Sequence, residues 1–403
     1  MFFRIHFLIC IGWFAPALLH AAPPAPVENP CFIEFFNNEY DRAIPCFERQ
    51  LQANPHDANA YNHLAQALLY QQLFLHGALE TELVSSTNPF LQMPKIQVPP
   101  DIEARFRQLI QTSLALSQTE LRQHPRNVQA LYSLGVAHGL RANYEFLIDK
   151  DWIGALRDAA ADRKANEQIL EIDPQFIDAH LIIGLYKYVV GSLPFYLRAL
   201  GFLGGFHAGK GAKEEGIREI QQVSEHGVLD RYEADVLLAA IYRREHRPQD
   251  AIPLLEKLAR QFPRNYLFRF EQVEMYSDMG NEKAALDVIE RIEMLRREHA
   301  PGYAEIPPAK IAYIKANLLF WYGDLGRALN ILKQATSMTD GLDPGTLTMA
   351  WLRLGQVYDL QGDHQQAILA YRNVVKTSPH SQAAVEAKNY IANPYRRKRG
   401  ASG

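Results

Sequence analysis

The C-terminal part of the chain repeats a spacing of bulky and small residues that only packed pairs of helices satisfy. Trp351, Leu354 and Tyr358 stand at positions i, i+3 and i+7, which places their side chains on one face of a helix. Gly355 on the same helix leaves room for a second helix to approach closely, and Gly362 breaks the chain before that second helix begins. The spacing therefore predicts a two-helix unit in this region.

Further copies of the same frame occur upstream. One begins at Tyr232, and the next begins at Tyr266, which is 266 − 232 = 34 residues later; another begins near Ala309. Three earlier helix starts each follow a proline, namely Pro55, Pro125 and Pro174. A fixed period of this length is typical of repeat architectures that share one continuous core. The sequence thus predicts an all-α chain of about eight helix pairs, with the clearest pattern in the last four.

With Ala367, Tyr371 and Pro379 completing the series, residues 351–379 resemble the tetratricopeptide repeat, and the resemblance extends over nearly all of residues 30–392. The chain is also similar to an exported bacterial subgroup with segments like "ANYEFLIDKDWIGALRDAAADRKANEQILEIDP" and "YKYVVGSLPFYLRALGFLGG". The resemblance implies a right-handed α-solenoid whose first helices line a concave surface for protein or peptide partners. It implies neither catalysis nor a cofactor.

The N-terminus predicts an export signal over residues 1–21. Arg4 precedes the apolar stretch "IHFLICIGWFAPALL", and cleavage is expected near Ala21 or Ala22. A lipoprotein signal at Cys10 is disfavoured because Ile9 stands where a small residue is expected. The mature protein is therefore expected to be periplasmic or secreted, beginning with a Pro-rich linker over residues 22–29.

Two cysteines remain after cleavage, Cys31 and Cys46, 46 − 31 = 15 residues apart. If they lie on two antiparallel helices joined near residues 38–39, both are equally far from the turn and their side chains can meet. Disulfides persist in oxidising compartments, so a Cys31–Cys46 bridge is predicted. The alternative is two buried, unpaired thiols.

Within the solenoid at residues 30–392, residues 30–231 are irregular and residues 232–392 are regular. The irregular part contains a Pro-rich insertion at residues 76–100 and a hydrophobic insertion at about 190–211. Long insertions without periodicity are often functional, so residues 76–100 are interpreted either as a lid over the concave face or as a passive surface loop. The basic tail at residues 393–403 is expected to be disordered.

Positions that point away from the partner helix of each pair predict the partner-binding residues. They are the second, fifth, ninth and twelfth positions of the repeat frame, which mix aromatic, aliphatic and charged side chains suited to an extended peptide or a helix. The predicted residues are Glu233, Val236, Arg243, Phe270, Glu274, Lys310, Tyr313, Asn317, Phe320 and Gln356.

Two segments allow other interpretations. The apolar run Leu181–Phe206, together with the basic tail, could dock the chain on a membrane surface as an envelope assembly factor. An inserted helix in the solenoid core is favoured over this, because Ser192 and Pro194 divide the run into two short helices. The stretch "GGFHAGKG", residues 204–211, approaches a phosphate-binding loop. However, Gly211 replaces the magnesium-binding Ser or Thr after Lys210, and no pattern of parallel strands accompanies it. The stretch is therefore interpreted as a hinge between helices. A nucleotide-dependent enzyme is the third functional hypothesis, after a protein-binding adaptor and a membrane-docked factor.

Charge and composition bear on two further classes of function, nucleic-acid binding and metal binding. The chain has 42 basic and 45 acidic side chains, so no overall positive field recruits nucleic acid, and none is expected as a partner. The 14 histidines lack metal-ligand spacing. The sequence therefore predicts no catalytic residue, metal site or cofactor, and favours an exported adaptor that binds a protein or peptide.

Overall fold

The computed structural model describes residues 29–79, 95–193 and 211–397. In these three ranges the chain forms seventeen α-helices and no β-strand. The helices are α1 (Cys31–Phe36), α2 (Tyr40–Ala53), α3 (Ala58–Leu75), α4 (Pro100–Gln123), α5 (Val128–Tyr144), α6 (Trp152–Ile172), α7 (His180–Ser192), α8 (Ala212–His226), α9 (Arg231–Arg244), α10 (Pro248–Gln261), α11 (Tyr266–Asp278), α12 (Glu282–Arg297), α13 (Pro308–Trp321), α14 (Leu325–Ser337), α15 (Pro344–Leu360), α16 (His364–Thr377) and α17 (Gln382–Ala392).

Consecutive helices pack as pairs, from α1 with α2 to α15 with α16, and α17 packs on the last pair. Each pair also contacts the next, so that the chain is an α-solenoid, as the repeat spacing predicts. Asp or Asn side chains cap several of the helices; for example, Asp343 accepts a hydrogen bond from the backbone N–H of Thr346 at 2.8 Å. Such caps satisfy backbone donors at a helix start that have no partner within the helix.

The signature residues of the last repeat make the contacts that their spacing predicts. A Cβ atom added at Gly355 would lie 2.7 Å from Cδ1 of Tyr371, so only glycine lets α15 approach the ring on α16 this closely. Trp351 and Tyr358 are half-buried and pack against the apolar core between these helices. The pairing of two helices around Gly355 is thus confirmed.

A second close helix contact joins α7 and α8. Gly184 and Gly191 on α7 face Gly216 and Lys213 on α8, and a Cβ added at Gly216 would lie 2.5 Å from the backbone nitrogen of Tyr188. Leu181, Tyr188 and Val190 are buried by this packing. The first part of the apolar run Leu181–Phe206 is therefore a core helix, whereas residues 194–206 lie outside the described residues.

The Cys31 and Cys46 side chains form a disulfide that ties α1 to α2, with their Cα atoms 5.6 Å apart. In the chain-entropy model, a bridge that closes a loop of this length stabilises the folded state by about 3 kcal/mol. The bridge makes the first helix pair a stiff unit, although α1 alone has only six residues.

That first helix pair returns to contact the middle of the chain. The Arg264 guanidinium, in the turn between α10 and α11, lies 2.9 Å from the Glu34 carboxylate and 2.7 Å from that of Glu39. Asn265 Nδ2 donates to the Phe36 carbonyl at 2.8 Å, and the rings of Phe36 and Phe262 are 4.8 Å apart. The solenoid therefore curls until its first pair meets its fifth and sixth pairs, enclosing a space on the inner side.

Several predicted segments lie outside the described residues: the export signal at 1–21, the linker except for Asn29, residues 80–94 of the first insertion, residues 194–210 of the second, which include most of the 204–211 stretch, and residues 398–403 of the tail. The helix α4 begins at Pro100, where the first predicted insertion ends. Among the described helices, none combines the length and apolar character required to span a membrane.

Candidate functional site: an inner cavity with an acidic end

The curled solenoid encloses a cavity of about 770 Å³. Its lining comes from α1, α2, α3, α5, α6, α7, α9, α10 and α11. The walls are mostly apolar and aromatic, and four tyrosines contribute to them: Tyr40, Tyr70, Tyr132 and Tyr232. A concave, apolar site with a few polar groups is typical of ligand-binding pockets.

Four carboxyl groups line this cavity, those of Asp162, Asp230, Glu233 and Glu271. Glu271 is paired with Arg243, and the other three are called the acidic trio below. Asp162 lies on α6 and is only 4% exposed. Its carboxylate fits against α5 because Gly139 has no side chain; a Cβ there would lie 2.6 Å from Asp162 Oδ2. Asn166 Nδ2 donates to Asp162 Oδ1 at 2.9 Å, which fixes the orientation of the carboxyl group.

Asp230 stands immediately before α9, and Glu233 lies in the first turn of that helix. Tyr132 donates its hydroxyl to Asp230 Oδ1 at 2.8 Å. The loop leading to α9 is held by Asp178, whose Oδ1 accepts the backbone N–H groups of residues 228–230 at 2.9–3.0 Å. Asp178, which is not a member of the trio, thus positions the segment that carries Asp230 and Glu233.

Burial raises the pKa of all three carboxyl groups, because a charged carboxylate is poorly solvated inside the protein. The pKa of Asp230 rises to about 7, through burial and then the nearby Asp178 charge. The pKa of Glu233 rises to about 8, through burial and then the Asp230 charge. The pKa of Asp162 is raised well above its usual range by the same two causes, burial and the Asp230 charge. At neutral pH, therefore, Asp230 is partly protonated and Glu233 is mostly protonated.

Of the ten predicted partner-binding residues, Glu233 and Val236 line the cavity. Val236 is 39% exposed, as are two other apolar lining residues, Val228 at 55% and Leu229 at 38%. Arg243 and Glu274 lie further along and are half-buried in an ion pair at 3.3 Å, with Glu271 also 3.2 Å from Arg243. The structure therefore brings only two of the ten together at one site.

Five of the ten predicted residues are buried, which corrects the exposure that the prediction assumed. They are Phe270, Lys310, Tyr313, Phe320 and Gln356, each at most 6% exposed. Contacts between neighbouring repeats explain this burial: Lys310 lies 3.2 Å from the Asp343 carboxylate, and Arg353 donates to Gln356 Oε1 at 2.7 Å. Asn317 is half-buried on the same helix as Tyr313.

Residues 393–397 cover part of the surface formed by the predicted partner-binding residues in the C-terminal repeats. The Tyr395 backbone N–H donates to Asp359 Oδ2 at 2.7 Å, and the Arg397 guanidinium lies over the Phe320 ring, 4.9 Å from its centre. Arg353 also lies over Phe320, at 4.3 Å. Residues 393–397 are thus packed on the solenoid, which corrects the expectation of disorder for this part of the tail.

The sequence reasoning missed Asp162 and Asp230. The frame that selected Glu233 considers only first helices, whereas Asp162 lies on a second helix and Asp230 lies in the connection before α9. One signal was present: Gly135 and Gly139 stand one turn apart on α5, and both face the Asp162 carboxylate. Two small residues at that spacing indicate that another element approaches closely there.

The comparisons with known proteins agree with the helical repeat. Two models of the tetratricopeptide repeat match the chain, at residues 34–75 and at residues 349–381. No curated protein sequence matches.

Among solved structures, human IFIT1 in a dimer with m7Gppp-AAAA is 13% identical, covering 89% of this chain and 78% of its own at a TM-score of 0.43. The thermophilic TPR protein TTC0263 of Thermus thermophilus is 18% identical; the match covers 62% of this chain and 95% of that protein, at a TM-score of 0.34. Yeast Tom70 is 14% identical; the match covers 90% of this chain and 87% of Tom70, at a TM-score of 0.35.

Proposed function

Because this chain is a tetratricopeptide-repeat protein, we propose that it is an exported, non-catalytic adaptor that binds a segment of a partner polypeptide inside the cavity. Repeats of this kind support protein–protein interaction in general. The observation that carries the specific proposal is the cavity itself, about 770 Å³ in volume and lined by Glu233 and Val236 among mostly apolar groups. Its volume is that of a pocket for several side chains.

The location of open surface supports this choice. At the C-terminal repeats, the face predicted to bind a partner is covered by neighbouring repeats and by Tyr395 and Arg397. On α9, by contrast, Val236 and the smaller Ala240 line the cavity and leave space above the helix. A partner segment would therefore enter beside α9 and not beside α13 or α15.

Charge favours a polypeptide over nucleic acid. The cavity lining contains four carboxyl groups and one arginine, Arg231, whereas protein sites for nucleic acid present several Lys and Arg side chains to the phosphates. The human IFIT1 structure contains m7Gppp-AAAA, but its similarity to this chain is too low to transfer that ligand. The absence of a nucleic-acid partner remains a prediction.

The export signal predicted from the sequence favours a periplasmic or secreted location for the adaptor, and the Cys31–Cys46 bridge suits an oxidising compartment. Docking on a membrane through Leu181–Phe206 and the basic tail has less support. Leu181 and Tyr188 are buried against α8 and the core, so these two side chains are unavailable to lipid.

Site-specific photocrosslinking tests the proposed function. With p-benzoylphenylalanine replacing Val236 in the full chain, expressed in cells, we expect one discrete crosslinked polypeptide. The same group at Leu369, which is 51% exposed on the second helix α16, is the matched control and should give none. Filling the cavity by Ala240→Trp should reduce the Val236 product by about tenfold, since the bulky ring occupies the partner's space. Equal products from both positions, or a Val236 product insensitive to Ala240→Trp, would refute binding in the cavity.

A further inference from the structure

Residues 393–397, called the docked tail below, lie on the first helices α13 and α15. We propose that they occupy a second peptide-binding site, and that a partner segment with an aromatic residue followed two positions later by an arginine binds there when the docked tail is displaced. This site is separate from the cavity, so the inference goes beyond the proposed function. While the docked tail is in place, the partner segment of the proposed function enters beside α9.

The docked tail connects equivalent positions of two successive repeats. Asp359 is the last residue but one of α15, and Phe320 is the last residue but one of α13. The Tyr395 backbone N–H donates to Asp359 Oδ2 at 2.7 Å, and the Arg397 guanidinium donates to the Phe320 carbonyl. A segment that spans two repeats in this way lies on the surface that the first helices share, which in a solenoid is a continuous binding surface.

The docked tail has the conformation of an extended peptide. It follows α17 without forming a helix, and the exposure of its side chains alternates: Pro394 and Arg396 are exposed, whereas Tyr395 and Arg397 are half-buried. Successive side chains of an extended chain point to opposite sides, so every second residue reaches the solenoid. Extended peptides are recognised through backbone hydrogen bonds and contacts to alternate side chains, and the docked tail makes both.

Tyr395 shows why the first anchor of the partner segment should be aromatic. Its ring centre lies 6.2 Å from that of Phe320 and 5.3 Å from that of Tyr390, edge to face with the latter. Aromatic pairs at these separations attract each other beyond the burial of their apolar area. A tyrosine or phenylalanine is therefore favoured at this position over an aliphatic residue.

Arg397 shows why the second anchor should be an arginine. Its guanidinium lies over the Phe320 ring, 4.9 Å from the centre, and donates to the carbonyl of the same residue. That carbonyl is in the last turn of α13, where the helix dipole attracts a positive group. A planar guanidinium can stack on a ring while it donates hydrogen bonds, whereas the compact ammonium of lysine cannot.

Binding of a labelled peptide to the full chain, measured by fluorescence anisotropy, tests the proposal. The probe is fluorescein-Asn-Pro-Tyr-Arg-Arg-amide, which copies residues 393–397. The control probe carries serine in place of the tyrosine and of the last arginine. Because the docked tail is tethered beside its site, the double variant Tyr395→Ser, Arg397→Ser should bind the probe at least about tenfold more tightly than the native chain. Arg396→Ser, at an exposed position, should bind it as the native chain does.

Equal affinities of the native chain and the double variant for the probe overturn the proposal, as do equal affinities of the double variant for the two probes. Dimers of the native chain that are lost in the double variant, measured by light scattering, would identify a second copy as the occupant and overturn the partner segment. Melting temperatures establish that the variants are folded.

Hydrogen–deuterium exchange of the native chain gives a measurement that needs no variant. A saturating concentration of the probe should speed the exchange of the Tyr395 backbone N–H, because displacement breaks its hydrogen bond to Asp359. Unchanged exchange with the probe bound contradicts the proposal. The crosslink at Val236 tests the proposed function separately, since it reports on the cavity.

Discussion

Raising the pH from about 5 to about 9 is expected to lower the free energy of unfolding of the unliganded protein. The ordinary pKa values of Asp230 and Glu233 are 3.8 and 4.5, and burial raises them to about 7 and about 8 in the folded state. Between the two sets of values the unfolded chain is ionised while the folded chain keeps its protons, so unfolding releases protons. Their stabilising contribution is complete below pH 4 and is lost as the pH rises through about 7 and 8, on the order of 3 kcal/mol for each group.

Urea denaturation at a series of pH values measures this effect. The variant Glu233→Gln cannot ionise at this position, so its stability should fall less steeply between pH 5 and 9 than that of the native chain. The surface variant Glu290→Gln should follow the native curve, because Glu290 is exposed on α12. Parallel curves for the native chain and Glu233→Gln would show that the pKa of Glu233 is not raised in the folded state.

The second large effect is expected at Gly216, where α7 and α8 come closest. In Gly216→Ala the added methyl group would collide with backbone atoms of Gly184 and Tyr188. Because backbone atoms cannot rotate away, the two helices must separate, and we expect a loss of about 3 kcal/mol in the free energy of unfolding. Denaturant titration of the purified variant measures it.

Gly326→Ala is the matched control, since Gly326 also lies within a helix, α14, and a Cβ there would come no closer than 4.0 Å to the Asp324 carboxylate. Alanine is favoured over glycine inside helices, so this variant should gain about 0.5–1 kcal/mol. If the two alanine variants were equally stable, the close approach of α7 to α8 would be incorrect.

The helix pairs were predictable from sequence because their causes are local. Trp351, Gly355 and Tyr358 define a helix face and a contact point within one repeat, and Tyr371 fills that point from the next helix. Cys31 and Cys46 lie on adjacent helices, so their pairing also depends only on a short hairpin.

The cavity was not predictable because it depends on contacts between distant repeats. Small rotations from each helix pair to the next add up along a solenoid, and they bring Arg264 to Glu34 across 230 residues of sequence. The same cause explains why part of the predicted binding face is buried: Arg353 from the next pair and Arg397 from the tail cover Phe320. Repeat periodicity contains no information on either contact.

The central claim is that the first helix pair closes the solenoid around the cavity. A double-mutant cycle between Glu39 and Arg264 tests it most directly, because Arg264 donates two hydrogen bonds to the Glu39 carboxylate, at 2.8 and 2.7 Å. With Glu39→Gln, Arg264→Gln and the double variant, the closed solenoid predicts a coupling free energy of about 1 kcal/mol or more. A coupling of zero within error would mean that the two residues do not meet and that the cavity is not enclosed.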